Sequence, residues 1–207
     1  MAQFFSVHPE QPQQRLIKQA AQIMRDGGLI AFPTDSAYAL GGRTGDSPLL
    51  ARIRRIRDVD ERHQFTLLCR DLSEIATYAR VDNTQYRLLK ATTPGPYTFI
   101  LEGTKELPRR VLHPKRKTIG IRIPDHPVVS ALLAELGEPM LSSTLLLPDE
   151  AHPLTDAEEI RDRLEKDVDL VIEAGACRGE ATTVIDLTSG VPELVREGRG
   201  SLEPFGL

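Results

Sequence analysis

Polar side chains that can hold an anion gather at four places in this chain. Thr34, Asp35 and Ser36 follow an apolar run in LIAFPTDSAYALGG. Thr98 follows TPGP, Ser142, Ser143 and Thr144 stand in LSSTLLLP, and Thr182 with Thr183 precedes Val184. Two arginines join them, Arg122 in TIGIRIP and Arg196 in VREG. Hydroxyls bind phosphate or carboxylate oxygens without adding charge, and a guanidinium grips the same groups with a rigid two-pronged fork. These residue types at strand ends suit an anionic ligand with several oxygens. Each also has a plainer reading. A hydroxyl at a strand end often closes a local turn, and an arginine on a strand often belongs to a solvated face or an ion pair. The histidines at 8, 63, 113, 126 and 152 are scattered, with no metal-ligand pair and no serine at an interpretable spacing. Phosphate loops of the G-x-G-x-x-G and G-x-x-x-x-G-K-(S/T) types are absent, as is a G-x-S-x-G elbow.

Alternating helix-like and strand-like segments must position these residues. Leu16, Ala20, Ile23 and Met24 share one face of a helix that starts near Gln13 and stops at Gly27. Residues 29–32 are short and fully apolar, so they read as a buried strand. Ser47-Pro48 opens a second helix with Leu49, Ile53 and Ile56 inward and arginines 52, 54, 55 and 57 largely outside. Further strands are expected at 65–69, 97–102, 118–124, 140–147, 170–172, 183–187 and 193–196. In TIGIRIP the isoleucines at 119, 121 and 123 point one way, and Thr118, Gly120 and Arg122 the other. Helices are expected after an Asp71 cap, over 84–91, over 128–136 before Gly137, and from a Thr155/Glu158 capping box to about Lys166. Thr188-Ser189-Gly190 reads as a turn between the last two strands. Some seven or eight strands with six helices favour an α/β fold, an open twisted mixed sheet with helices packed on it.

Composition bounds the rest. A chain of 207 residues, 40% hydrophobic and 27% charged, has the length for one sizeable core. A net charge of −4 argues against a wholly basic nucleic-acid binder, while leaving room for local patches. Cys69 and Cys177 form neither a disulfide framework nor a zinc pattern, and Cys69 in FTLLC reads as a small buried hydrophobe. The N-terminal MAQFFSVHPEQPQQRL lacks a signal-peptide pattern, and no apolar run approaches the roughly 20 residues that span a bilayer. A cytoplasmic location is expected. The sequence sets no oligomeric state.

Taken together, six stretches carry a resemblance. PTDSAYALG is similar to the PT(D/E)TxYGLG signature of the YrdC/YciO family, the threonylcarbamoyl-adenylate synthases. TPGPYTFIL resembles its WPGPxTxIL, IGIRIPDHP its VAVRxPxHP, EPMLSSTLL its P(I/L)xSTSAN segment, EATTVIDLT its xSTVVDLT, and LVREG its ILRxG. They run in the family's order through nearly the whole chain, closest to the YciO branch. The resemblance implies a single YrdC-like domain over 1–207, with a twisted open sheet and a large, positively lined central cavity. It implies a reaction that joins L-threonine, bicarbonate and ATP into threonylcarbamoyl-adenylate and pyrophosphate for modification of an adenosine in tRNA. ATP arrives with Mg2+ as substrate, and neither a resident metal nor a tightly bound cofactor is implied. By position, Ser36, Arg122, Ser143 and Thr182 correspond to threonine-binding residues. Arg57, Thr98, Thr144 and Arg196 correspond to residues near ATP, with Arg57 in a catalytic position. Asp35 and Tyr38 are expected to brace their loop.

The sequence also departs from the pattern. Where the family has a K-x-R pair, this chain has Arg57-Asp58-Val59, so one of two cations is missing. Leu146 replaces the asparagine of STSAN, Ala39 the glycine of YGLG, and Thr93 the tryptophan of WPGP. Arg54, Arg55 and Arg62 are the neighbouring arginines available to substitute. A different reading is a nucleotide, tRNA or double-stranded-RNA binder without efficient catalysis, motivated by Arg52, Arg54, Arg55 and Arg57, and by Arg109, Arg110, Lys115, Arg116 and Lys117.

Overall fold

The apolar runs become the strands of one sheet. The computed structural model describes all 207 residues. The strands are β1 (Gln3–Ser6), β2 (Ile30–Phe32), β3 (Ala39–Arg43), β4 (Thr66–Leu68), β5 (Tyr97–Glu102), β6 (Thr118–Arg122), β7 (Met140–Thr144), β8 (Leu170–Glu173), β9 (Thr183–Asp186) and β10 (Glu193–Arg196). Their order across the sheet is β1-β8-β2-β3-β7-β4-β6-β5-β9-β10. The β1/β8, β2/β8, β4/β6 and β5/β9 pairs are parallel, and the others are antiparallel. The helices are α1 (Gln14–Arg25), α2 (Ser47–Arg57), α3 (Leu72–Tyr78), α4 (Asn83–Thr92), α5 (Pro127–Leu136) and α6 (Ala157–Leu164). None is long and apolar enough to cross a membrane.

Two strands were not legible in the sequence. β1 is a four-residue edge strand, stabilised by parallel pairing to β8 that no local signal announces. β3 carries Gly41 and Gly42, which give no strand signal. They serve close approach: a Cβ on Gly41 would lie 2.7 Å from the Leu141 carbonyl oxygen and 3.0 Å from the Phe32 ring. The cap of α6 also shifts by one residue. Asp156, not Thr155, accepts from the N–H of Glu159 at 2.8 Å, because a carboxylate one residue nearer the first turn competes better for it. The α4 cap is reciprocal. Asp82 accepts from Gln85 N at 2.8 Å while Gln85 accepts from Asp82 N at 2.8 Å. Asp82→Ala is expected to cost about 1 kcal/mol, read as a lower urea midpoint with an unchanged slope.

Alternation along the strands feeds two cores, one on each face. Leu29, Leu40, Leu67, Phe99, Ile121 and Leu141 pack with Leu49, Ile53 and Ile56 of α2 and Ile160 of α6. Ile30, Phe32, Leu68, Met140 and Leu170 pack beneath α1 and α5. No residue of β5, β6 or β9 belongs to that second core. Over those strands the second face presents Thr66 of β4 with Thr98, Gly120 and Val184, and these form or border the floor of a cavity. Gly120 keeps the floor low, since a Cβ there would stand 3.0 Å from Thr66 Oγ1 and 3.2 Å from Thr98 Cγ2.

Candidate functional site

The cavity measures about 1150 Å3, at or just above the top of the ordinary range for small-ligand sites, roughly 300–1,000 Å3. Six residues with expected roles line it: Arg57, Thr98, Ser143, Thr144, Thr182 and Arg196. They come from five separate parts of the chain, and the sheet brings them together. The end of α2 delivers Arg57, β7 delivers Ser143 and Thr144, and β5 delivers Thr98 beside β9. Arg196 of β10 arrives through the β9–β10 hairpin.

These side chains are already linked. Thr98 Oγ1 and Thr182 Oγ1 share a hydrogen bond of 2.8 Å. Arg196 donates from Nη2 to the Thr182 carbonyl at 3.0 Å and to its hydroxyl at 3.2 Å. On the opposite wall Arg57 donates from Nε to the Leu146 carbonyl at 3.2 Å and from Nη1 to Ser143 Oγ at 2.7 Å. Burial, followed by the Arg196 charge, pulls the Arg57 guanidinium below its ordinary range. It remains a cation at any accessible pH, because arginine starts so high.

Ser36 and Arg122 lie behind the wall and do not line the cavity. Both are buried, 3% and 7% exposed. Arg122 Nη1 donates to Ser36 Oγ at 3.3 Å, and its Nη2 pairs with Asp35. Asp35 also accepts from Asp125 N at 3.0 Å, so it fastens its loop to the end of β6 and the start of α5. Burial lowers the Arg122 pKa, and Asp35 opposes that shift. Arg122 Nε is buried with no hydrogen-bond partner. Two cavity residues cover this turn: Gly179 N donates to the Ser36 carbonyl at 3.0 Å, and Arg199 donates to the Asp35 carbonyl. Tyr38 is fully buried, with an unpartnered hydroxyl.

The three neighbouring arginines do not replace the missing cation. Arg54 lies over the Phe65 ring, 5.3 Å from its centre, and Arg55 pairs with Asp167 at 3.2 Å. Arg62 lines a different cleft, and neither Val59 nor any of the three lines the cavity. The chain leaves α2 through Asp58 in the left-handed conformation, φ 51°, which carries Val59 away from the wall. Besides Arg57, the cations in the wall are Arg196 and Arg199. His63 also lines the cavity, and its Nε2 lies 2.9 Å from Ser143 Oγ. Sequence reasoning missed both His63 and Arg199. His63 stands in a polar loop without a spacing signal, and Arg199 was hidden behind its neighbour Arg196.

The chain's similarities agree with this geometry. Residues 22–198 match a family model described as Sua5/yciO/yrdC, telomere recombination. The uncharacterised protein YciO of Escherichia coli strain K12 is 58% identical over 99% of this chain and 100% of its own length. The crystal structure of E. coli YciO superimposes with a TM-score of 0.96 at 57% identity, over 99% of this chain and all of that one. The threonylcarbamoyl-AMP synthase of Chromohalobacter salexigens is 29% identical over 84% of this chain and 94% of its own length. The structure of Pyrococcus abyssi Sua5 complexed with L-threonine matches with a TM-score of 0.89 at 26% identity, covering 97% of this chain and 58% of that longer one. On the family match and the YciO similarity, this chain belongs to the Sua5/YciO/YrdC family.

Proposed function

We propose that the protein catalyses adenylation of threonine carbamate, joining L-threonine, bicarbonate and ATP to give threonylcarbamoyl-AMP, pyrophosphate and water. One observation carries this reading: Arg57, Thr98, Thr144, Thr182 and Arg196 converge on one cavity large enough for a nucleotide and an amino acid together. The threonine-bound relative supports the amino-acid substrate.

The roles follow from chemistry. A carbamate oxygen attacks the α-phosphorus and pyrophosphate leaves, so negative charge grows on non-bridging and leaving oxygens. Arg57 and Arg196 flank the cavity as fixed cations and stabilise that charge, while Thr98 and Thr144 donate hydroxyls to the nucleotide. Mg2+ accompanies the triphosphate as part of the substrate. Ser143 and Thr182 border the amino acid in the cavity, and its α-carboxylate meets Ser36 and the free Nε–H of Arg122 once the covering Gly179 and Arg199 move aside. No protein nucleophile is needed, so catalysis is positioning and electrostatics.

Calorimetric titration tests the pairing of substrates. ATP and threonine are expected to bind separately and more tightly together. ATP binding without any threonine response sinks the amino-acid assignment. Thr182→Val removes the partner of Thr98 and an acceptor of Arg196, and is expected to weaken ATP binding roughly tenfold.

A second reading rests on a cleft of about 720 Å3 outside the cavity, lined by Arg62, His113, Lys115 and Arg116 with Asp60 and Glu61. Its cations suit a phosphate backbone, as in tRNA or double-stranded RNA. Binding there would weaken steeply with salt. A salt-independent or absent shift with tRNA removes this reading.

A further inference from the structure

Nε2 of His63 has two polar neighbours. Ser143 Oγ lies 2.9 Å away and Arg57 Nη1 lies 3.3 Å away. A guanidinium nitrogen can only donate, so both contacts are hydrogen bonds when Nε2 carries a lone pair and not a proton. In that arrangement the imidazole is neutral with its proton on Nδ1, and Ser143 accepts from Arg57 while donating its own hydrogen to Nε2. One Arg57 nitrogen thus holds both the serine and the histidine. Arg57 Nη2 has no protein partner and is the prong left for a ligand.

We infer that His63 serves as a further cation of the anion-binding wall, beside Arg57, gaining a proton at Nε2 when an oxyanion draws the Arg57 fork toward the cavity. This rests on the proposed binding of a phosphate ligand in the cavity, and it assigns a role to a residue outside the family motifs quoted above. Val59 leaves the site one positive charge short of the K-x-R pattern, and His63 stands beside Arg57 on the same wall. Once Arg57 turns to the ligand, Nε2 loses its repelling donor and gains a nearby negative charge. The protonated ring donates to Ser143 Oγ. The Ser143 hydrogen, formerly committed to Nε2, then points to the ligand. A single proton therefore adds a positive charge and redirects a hydroxyl.

The charged groups around His63 are Arg57 and Arg54 of α2, Asp60 of the following loop and, beyond Arg57, Arg196 of β10. The Phe65 ring meets it edge-on at 5.2 Å. Burial, then Arg57 and Arg54, hold the free imidazole down to about 4, with Asp60 opposing them. Binding a polyanion raises that value. Affinity for the anion is then greatest below the free value and falls as pH rises through the ligand-bound value. The gain is tenfold for each unit by which the ligand raises the His63 pKa.

The test follows the His63 ring by NMR across a pH titration of the intact protein, with His63→Gln assigning the signal. It is run free, with inorganic pyrophosphate and with Mg·ATP. In the free protein the ring is expected to stay neutral down to about pH 4. Saturating pyrophosphate or Mg·ATP is expected to raise the midpoint by about one unit or more. Affinity for pyrophosphate is expected to weaken with rising pH in the wild type by more than in His63→Gln. An unchanged His63 midpoint while other cavity signals shift overturns the inference. So does the absence of any cavity shift with either ligand. A raised midpoint in a protein that makes no pyrophosphate from ATP and threonine keeps the inference and removes the synthase assignment.

Discussion

Arg57→Ala is expected to reduce threonine-dependent pyrophosphate release by about 10²–10³-fold, the size of effect seen when one preorganised donor to a developing oxyanion is removed. Three features of Arg57 support so large an effect. It is half-buried at the cavity wall, so its charge acts where water screens poorly. Its Nε is anchored on the Leu146 carbonyl, so the fork turns to the ligand about a held point. Neighbouring Arg54 lies over Phe65, Arg55 pairs with Asp167 and Arg62 lines a separate cleft, so none stands in the wall beside it. Arg57→Lys keeps the charge but loses the fork, and is expected to retain more activity than Arg57→Ala. Measuring kcat and KM for ATP separates the roles: a fall confined to kcat places the contact in the transition state, and a rise confined to KM places it in ground-state binding. Equal activity of wild type and Arg57→Ala would remove Arg57 from the catalytic wall.

Asp35→Ala is expected to destabilise the fold by about 3–5 kcal/mol, because it strands a buried guanidinium. The Asp35 and Arg122 side chains are 7% and 8% exposed, so water cannot take over the lost contact. Asp35 also holds Asp125 N, which ties two loops together. The double variant Asp35→Ala with Arg122→Met removes both charges and is expected to recover much of the loss, since burying neither ion costs less than burying one. Urea unfolding of the four proteins in this cycle measures the coupling. A single-variant loss under about 1 kcal/mol would show that the pair is effectively solvated.

Much of this was legible in the residues. The isoleucines of TIGIRIP entered the core as their alternation required, and Cys69 was buried as FTLLC implied. Asp71 capped α3, and Gly27, with φ 87°, followed the end of α1. The sheet brought six of the eight proposed ligand-binding residues to one cavity. What was not legible depended on distance in three dimensions. β1 exists only because β8 lies beside it, and the strand role of Gly41 and Gly42 rests on the Leu141 backbone and the Leu49 side chain against them, which sequence does not show. Arg122 on the non-isoleucine face looked available for a ligand. The fold also set it against Asp35, 87 residues away in the chain, and left its Nε unpartnered. His63 carried no motif at all, and its importance appears only where Ser143 and Arg57 meet it.

The most direct measurement is pyrophosphate release by the purified protein with Mg·ATP, supplied with L-threonine and bicarbonate together and with each omitted in turn. Release that requires both, and that falls by at least about 10²-fold in Arg57→Ala, is the predicted result. No release above background with all three substrates present, or release indifferent to threonine, would contradict threonylcarbamoyl-AMP synthesis by this cavity.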